Sequence, residues 1–85
     1  MEDLYAIVVR LLDEVADIEA DIVSLTATFD EIGLDSLSEI DLCIAINREL
    51  GLDVDDEEMM RLSTVGEVVS LISDKLADAG HAKAA

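Results

Sequence analysis

The sequence is poor in the side chains that most enzymes rely on. Among 85 residues there is one histidine, one cysteine, one tyrosine, one phenylalanine and neither tryptophan nor proline. The histidine, His81, sits in the tail Ala79-Gly-His-Ala-Lys-Ala-Ala85, too small and polar to pack, and is expected to be exposed. A nucleophilic triad of the Ser-His-Asp kind therefore has no placed base. One cysteine cannot make an internal disulfide and supplies no thiolate metal cluster. With two aromatic rings, the core has to be built from Leu, Ile, Val, Ala and Met. Basic residues are also scarce: five against 21 acidic ones, a net charge of −16. Such a chain repels phosphate backbones and anionic lipid, so neither nucleic acid nor membrane is an expected partner. No apolar run reaches transmembrane length, and Glu2 and Asp3 stand where a signal peptide would carry Lys or Arg, which points to the cytoplasm.

What is present suits one small helical domain. Apolar residues make up 52% of a 9.2 kDa chain, ample for a core near the lower size limit of unaided folding. Leu4, Ile7, Val8, Leu11, Leu12 and Val15 recur at the spacing of one helical face, which predicts a helix over residues 2–17. The period then fails from Ile18 to Asp35. The stretch Ser24-Leu-Thr-Ala-Thr-Phe29 has strand propensity but no evident partner strand. A long loop pinned by Ile22, Leu25, Phe29, Ile32 and Leu34 is expected, and loops of that length are usually functional.

A second helix is expected from Asp35 or Ser36 to Leu50. It opens on the capping-box pattern Ser36-Leu-Ser-Glu39 and closes at Gly51. Asp55-Asp-Glu-Glu58 marks a short third helix carrying Met59, Met60 and Leu62. Thr64-Val-Gly-Glu67 opens a last one, carried by Val65, Val68, Val69, Leu71, Ile72 and Leu76 to about Ala79, with Gly66 as a mild cost. The expected fold is all-α: a four-helix bundle over 1–79, with three longer helices and one short third helix, a long loop between helices one and two, and a flexible tail over 80–85.

The second helix has more apolar surface than one-sided docking requires. Leu42, Cys43, Ile46 and Leu50 share one arc; Leu37, Ile40 and Ile44 share the next, with Ser38, Asp41, Arg48 and Glu49 on the remainder. The first arc is assigned to the core and the second to a partner; complete burial under the long loop is the alternative. Cys43 falls on the core arc and reads as a small hydrophobe. Asp53, Asp55 and Glu57 imitate the start of an EF-hand. Glu58 stands where its glycine belongs and Thr64 at its twelfth position, so no metal site is assigned.

Gly33-Leu-Asp-Ser-Leu37 invites four readings. A hydrolase elbow needs Gly-x-Ser-x-Gly on a strand-to-helix turn, which is lacking. A lipase-like Gly-Asp-Ser-Leu is interrupted by Leu34 and has no base. Ser36 can be a plain N-cap. It can also be a modification site, since a helix N-terminus favours an attached phosphate.

In its wider context, Phe29-Asp-Glu-Ile-Gly-Leu-Asp-Ser-Leu-Ser-Glu-Ile-Asp-Leu42 resembles the acyl carrier protein family, as do the long loop, Asp55-Asp-Glu-Glu58 and Leu62-Ser-Thr-Val-Gly-Glu67. The resemblance spans nearly the whole chain. It implies that Ser36 receives 4′-phosphopantetheine from coenzyme A through a Mg²⁺-dependent phosphopantetheinyl transferase, with Asp35 in support. It further implies a monomeric, non-catalytic carrier of acyl thioesters for fatty acid or polyketide synthesis. Leu37, Glu39, Ile40, Asp41 and Ile44 would meet basic patches on acyltransferase and ketosynthase-type enzymes. Leu42, Ile46, Met59, Leu62, Val68 and Ile72 would line an acyl crevice. Asn47 and Arg48 stand where the best-known fatty acid carriers have acids, which weakens the acidic stripe and leaves both pathways open. Two alternatives remain. A peptidyl or aryl carrier usually has Gly before the serine, where Asp35 stands here, and an unmodified acidic helical interaction domain would need no arm.

Overall fold

The computed structural model describes residues 3–84, and side chains as far as Asp78. Five α-helices follow one another: α1 (Leu4–Ala16), α2 (Phe29–Ile32), α3 (Ser36–Leu50), α4 (Asp56–Met60) and α5 (Val65–Ala84). Three are long, and they form the all-α bundle that the periodicity predicts. The long connection after α1 is more structured than expected: it contains a 3₁₀ turn at Ala20–Ile22 and the single turn α2. The last helix continues to Ala84 rather than stopping near Ala79. His81 lies beyond the described side chains, and Ala85 beyond the described residues.

Helix α1 starts where the Asp3 carboxylate accepts the Tyr5 N–H at 3.1 Å. It buries Ile7, Val8, Leu11 and Leu12, packs against α3 and α5, and ends on Asp17 in the left-handed region at φ 55°. The chain is then held by Ile18, Val23, Ala27, Phe29, Ile32 and Leu34, all buried, and by the Tyr5 hydroxyl donating to the Val23 carbonyl at 3.0 Å. Ile22 and Leu25, expected among the pins, are each 53% exposed. Ile22 closes the 3₁₀ turn on the outside, and Leu25 contributes its backbone rather than its side chain.

That backbone has the partner which no sequence pattern announced. Thr28 and Thr64 form an isolated antiparallel bridge. Phe29 N–H donates to Ser63 O at 3.0 Å, Val65 N–H to Ala27 O at 3.1 Å and Gly66 N–H to Leu25 O at 2.8 Å. Both bridge residues are also helix caps. Thr28 Oγ1 accepts from Glu31 N–H at 3.2 Å while Glu31 Oε1 accepts from Thr28 N–H at 2.8 Å. Thr64 Oγ1 accepts from Glu67 N–H at 3.2 Å, and Glu67 Oε1 accepts from the N–H groups of Ser63 and Thr64 at 2.6 and 3.0 Å. The starts of α2 and α5 are thus capped side by side, and the first-turn donors Val65, Gly66, Glu67 and Val68 of α5 all find acceptors.

Helix α3 packs against α1 and α4, burying Leu42, Cys43 and Ile46, and closes at Gly51 (φ 66°). The Lys75–Glu58 ion pair, 3.1 Å, links α5 to α4. The core is aliphatic, with Val8, Leu42, Ile46, Met59, Val68 and Ile72 fully enclosed and Phe29 as its one buried ring. Each such side chain contributes roughly 1.5–3 kcal/mol of burial.

Candidate functional site

The approach to Ser36 is determined by three consecutive residues. Gly33, at φ 79°, closes α2 with its N–H on Asp30 O, and Leu34 N–H reaches back to Phe29 O at 2.8 Å. Leu34 is buried and fixes the chain to the core. Asp35 is extended, and its carboxylate accepts the Ser38 N–H at 2.8 Å. The cap is therefore Asp35, not the Ser36–Glu39 box expected from sequence. Asp and Ser cap about equally well, and the earlier residue occupies the position. Ser36 becomes the first helical residue, exposed, and its hydroxyl has no hydrogen-bond partner among the described residues.

The electrostatics follow from this arrangement. The backbone N–H of Ser38, together with a side-chain contact from the same residue, holds the Asp35 carboxyl below the usual range, so it is ionised at neutral pH. Burial pushes the Glu39 carboxyl up, with the charges of Asp30 and Asp35 adding to the shift. The first-turn N–H groups of Ser36 and Leu37 have no carbonyl partner within the helix. A phosphodiester on the Ser36 oxygen would lie beside these donors and the positive end of a 15-residue helix. An exposed hydroxyl without a partner, on a rigid capped helix end, fits that group.

Along the outward side of α3, Leu37 is 70% and Ile44 49% exposed. Asp41 is exposed too, while Glu39 and Ile40 are half-buried. The long loop does not cover this arc. Asn47, noted from sequence only for standing where the best-known fatty acid carriers have acids, is a half-buried clamp. Its side chain donates to Val54 O at 3.0 Å and accepts from Val54 N–H at 2.9 Å, fixing the turn into α4. Arg48 is exposed, whereas Glu49 is paired with Arg10 at 2.6 Å.

Of the six expected crevice residues, Leu42, Ile46, Met59, Val68 and Ile72 have no solvent exposure. Leu62 is half-buried and lines two surface grooves. Cys43 is buried beside them, donating to Val54 O at 3.2 Å, and burial pushes its thiol up to about 11. Among the described residues no cluster of His, Cys, Asp or Glu could hold a metal ion. None of the helices described is long and apolar enough to cross a membrane.

Residues 6–72 match the family of the phosphopantetheine attachment site, and the chain belongs to that family of carriers. Its relatives narrow the class to acyl carriers. It is 34% identical over 76 residues to an acyl carrier protein of Petrotoga mobilis, covering 88% of this chain and 89% of that one. The crystal structure of an acyl carrier protein from Thermotoga maritima superposes with a TM-score of 0.80 at 29% identity, covering 88% of each chain. The solution structure of the 3,7-dioxo-octyl actinorhodin acyl carrier protein from Streptomyces coelicolor gives a TM-score of 0.72 at 27% identity, covering 91% of this chain and 90% of that one. The protein is thus a carrier that holds acyl groups as thioesters on covalently attached 4′-phosphopantetheine.

Proposed function

We propose that Ser36 is the attachment residue and that the loaded carrier serves a dissociated synthase of the fatty acid or polyketide type, in the cytoplasm. One observation carries this reading: Ser36 alone in its segment presents an exposed, unpartnered hydroxyl, at the N-terminal first turn of α3. A separate transferase, using coenzyme A and Mg²⁺, would direct the serine oxygen at the pyrophosphate. The Ser36 O–P bond forms, the bond to the adenosine 3′,5′-bisphosphate leaving group breaks, and the hydroxyl proton passes to the transferase. Asp35 serves by capping α3, which holds the serine on a fixed helix end.

Leu37, Glu39, Ile40, Asp41 and Ile44 form the surface offered to partners. The acids suit basic patches on transferases and condensing enzymes, and the exposed Leu37 and Ile44 supply apolar contact. Arg48 on the same helix favours a restricted set of partners over general docking. Intact mass after incubation with coenzyme A, Mg²⁺ and a broad-specificity transferase tests the assignment. One phosphopantetheinyl group should be gained, and Ser36→Ala should gain none. A gain that survives Ser36→Ala would overturn it.

A further inference from the structure

The described cations of this acidic chain are held by its own carboxylates, with one exception. Arg10 reaches Glu14 at 3.2 Å and Glu49 at 2.6 Å, Arg61 reaches Glu57 at 3.8 Å, and Lys75 reaches Glu58 at 3.1 Å. Arg48 is exposed and, among the described residues, has no ion pair. The acids beside it are already taken. A groove of about 240 Å³ along the seam of α1 and α3 is lined by Leu11, Glu14, Ala45, Arg48 and Glu49. Both carboxylates in that wall are the two gripped by Arg10, so Arg48 is the charge that the seam leaves unmatched.

Leu37, Asp41, Ile44 and Arg48 lie within about 60° of one another around α3, and all four are exposed. From the Ser36 end the stripe runs apolar, acid, apolar, base. Asp41 and Arg48 are about 10 Å apart along the axis, more than the ~8 Å over which exposed charges act at physiological ionic strength. A partner therefore meets two separate charges rather than a cancelled pair. We propose that Arg48 is a specificity residue: the synthase enzyme that docks on α3 presents a base to Asp41 and, about 10 Å further from Ser36, a carboxylate to Arg48. Arg10 is a positioning residue, since by holding Glu49 it keeps the far end of α3 positive. A partner whose patch is basic throughout is repelled at that end. This rests on α3 being the docking surface.

Malonyl transfer from malonyl-coenzyme A to the holo carrier, by a dissociated fatty acid synthase transacylase with a basic carrier patch, is the assay. Arg48→Glu should lower KM about fivefold, with the effect in KM rather than kcat, and Arg48→Gln should fall between. Arg10→Gln should lower KM about twofold by releasing Glu49, and adding Glu49→Gln should cancel that gain. Each exposed Lys or Arg of the transacylase patch is then changed to Glu in turn. One of these changes should reverse the order, giving the wild-type carrier the lower KM. Arg48 also lies in the last turn of α3, where a cation suits the helix dipole; that role alone would alter Tm and produce no reversal. A KM that Arg48→Glu leaves unchanged or raises, or a scan without a reversal, overturns the proposal. If Leu37→Asp and Ile44→Asp leave KM unchanged as well, α3 is not the docking face and the reading beneath the proposal fails with it.

Discussion

Replacing Gly66 with alanine should destabilise the protein, against the usual sign for glycine in a helix. Helix propensity alone favours alanine by at most about 1 kcal/mol. A Cβ at position 66, however, would stand 2.7 Å from the Leu25 carbonyl oxygen. That oxygen would have to retreat by about 0.7 Å to reach ordinary contact, and a forced shift of this kind costs roughly 1–3 kcal/mol. The same oxygen accepts the Gly66 N–H at 2.8 Å, so retreat also weakens a hydrogen bond with a net worth of about 0.5–1.5 kcal/mol. The balance is a loss of about 1–3 kcal/mol, or roughly 5–20 °C in Tm for a domain of this size. Far-UV circular dichroism melts measure it, with Ser70→Ala on the exposed side of α5 as a control that should melt at or slightly above wild type. A Gly66→Ala protein that melts no lower than wild type would refute the claim that the loop backbone and α5 are in direct contact.

Asn47→Ala should cost about 1–3 kcal/mol by leaving the Val54 N–H without its partner and the Val54 carbonyl with only the Cys43 thiol, yet load with phosphopantetheine as well as wild type does. Ile46→Ala, at a fully enclosed position, should cost about 2–5 kcal/mol in denaturant titration. Leu37→Asp and Ile44→Asp should leave Tm nearly unchanged and raise KM for acyl transfer, whereas a lowered Tm would mean that this arc packs. Acid should act in two directions. Folded-state pKa values below the ordinary ones at Asp35 (the Ser38 N–H), Glu67 (the Ser63 N–H) and Glu58 (the Lys75 ion pair) supply stability at neutral pH. That stability disappears as pH falls through those lowered values. Glu39 is raised, so its charged form opposes folding at neutral pH and the penalty is relieved in acid. Glu39→Gln should therefore melt higher than wild type at pH 7, with the difference closing below its ordinary value of 4.5.

The long helices were legible because each has an apolar face that survives several turns: Ile7, Val8, Leu11 and Leu12 in α1, and Leu42 and Ile46 in α3. Helix α2 was not, since one turn is too short for a period. Its start, Thr28-Phe-Asp-Glu31, does follow the Ser/Thr-x-x-Glu pattern that identified Thr64-Val-Gly-Glu67, so that signal was present. The pairing of Thr28 with Thr64 lies in backbone atoms and leaves no residue pattern to read. At the site, Asp35-Ser36-Leu37 stood out, but two adjacent capping residues hid which one caps. Asn47 was legible only as a missing acid in the stripe, and only the position of Val54 reveals what it holds. Leu25 looked like core because it is apolar, although what the fold uses there is its carbonyl.

The burial of Cys43 bears on the safety of the cargo. A thioester on a flexible arm can be attacked by any thiolate within reach, and this chain has one sulfhydryl of its own. Enclosed at 1% exposure and raised to about 11, that thiol is almost wholly protonated at neutral pH and out of contact. The acyl group has no second reachable thiol on the same molecule to which it could migrate. In the folded carrier, the one thiol open to an alkylating reagent is then the end of the arm itself, so labelling counts arms whose cargo has been discharged.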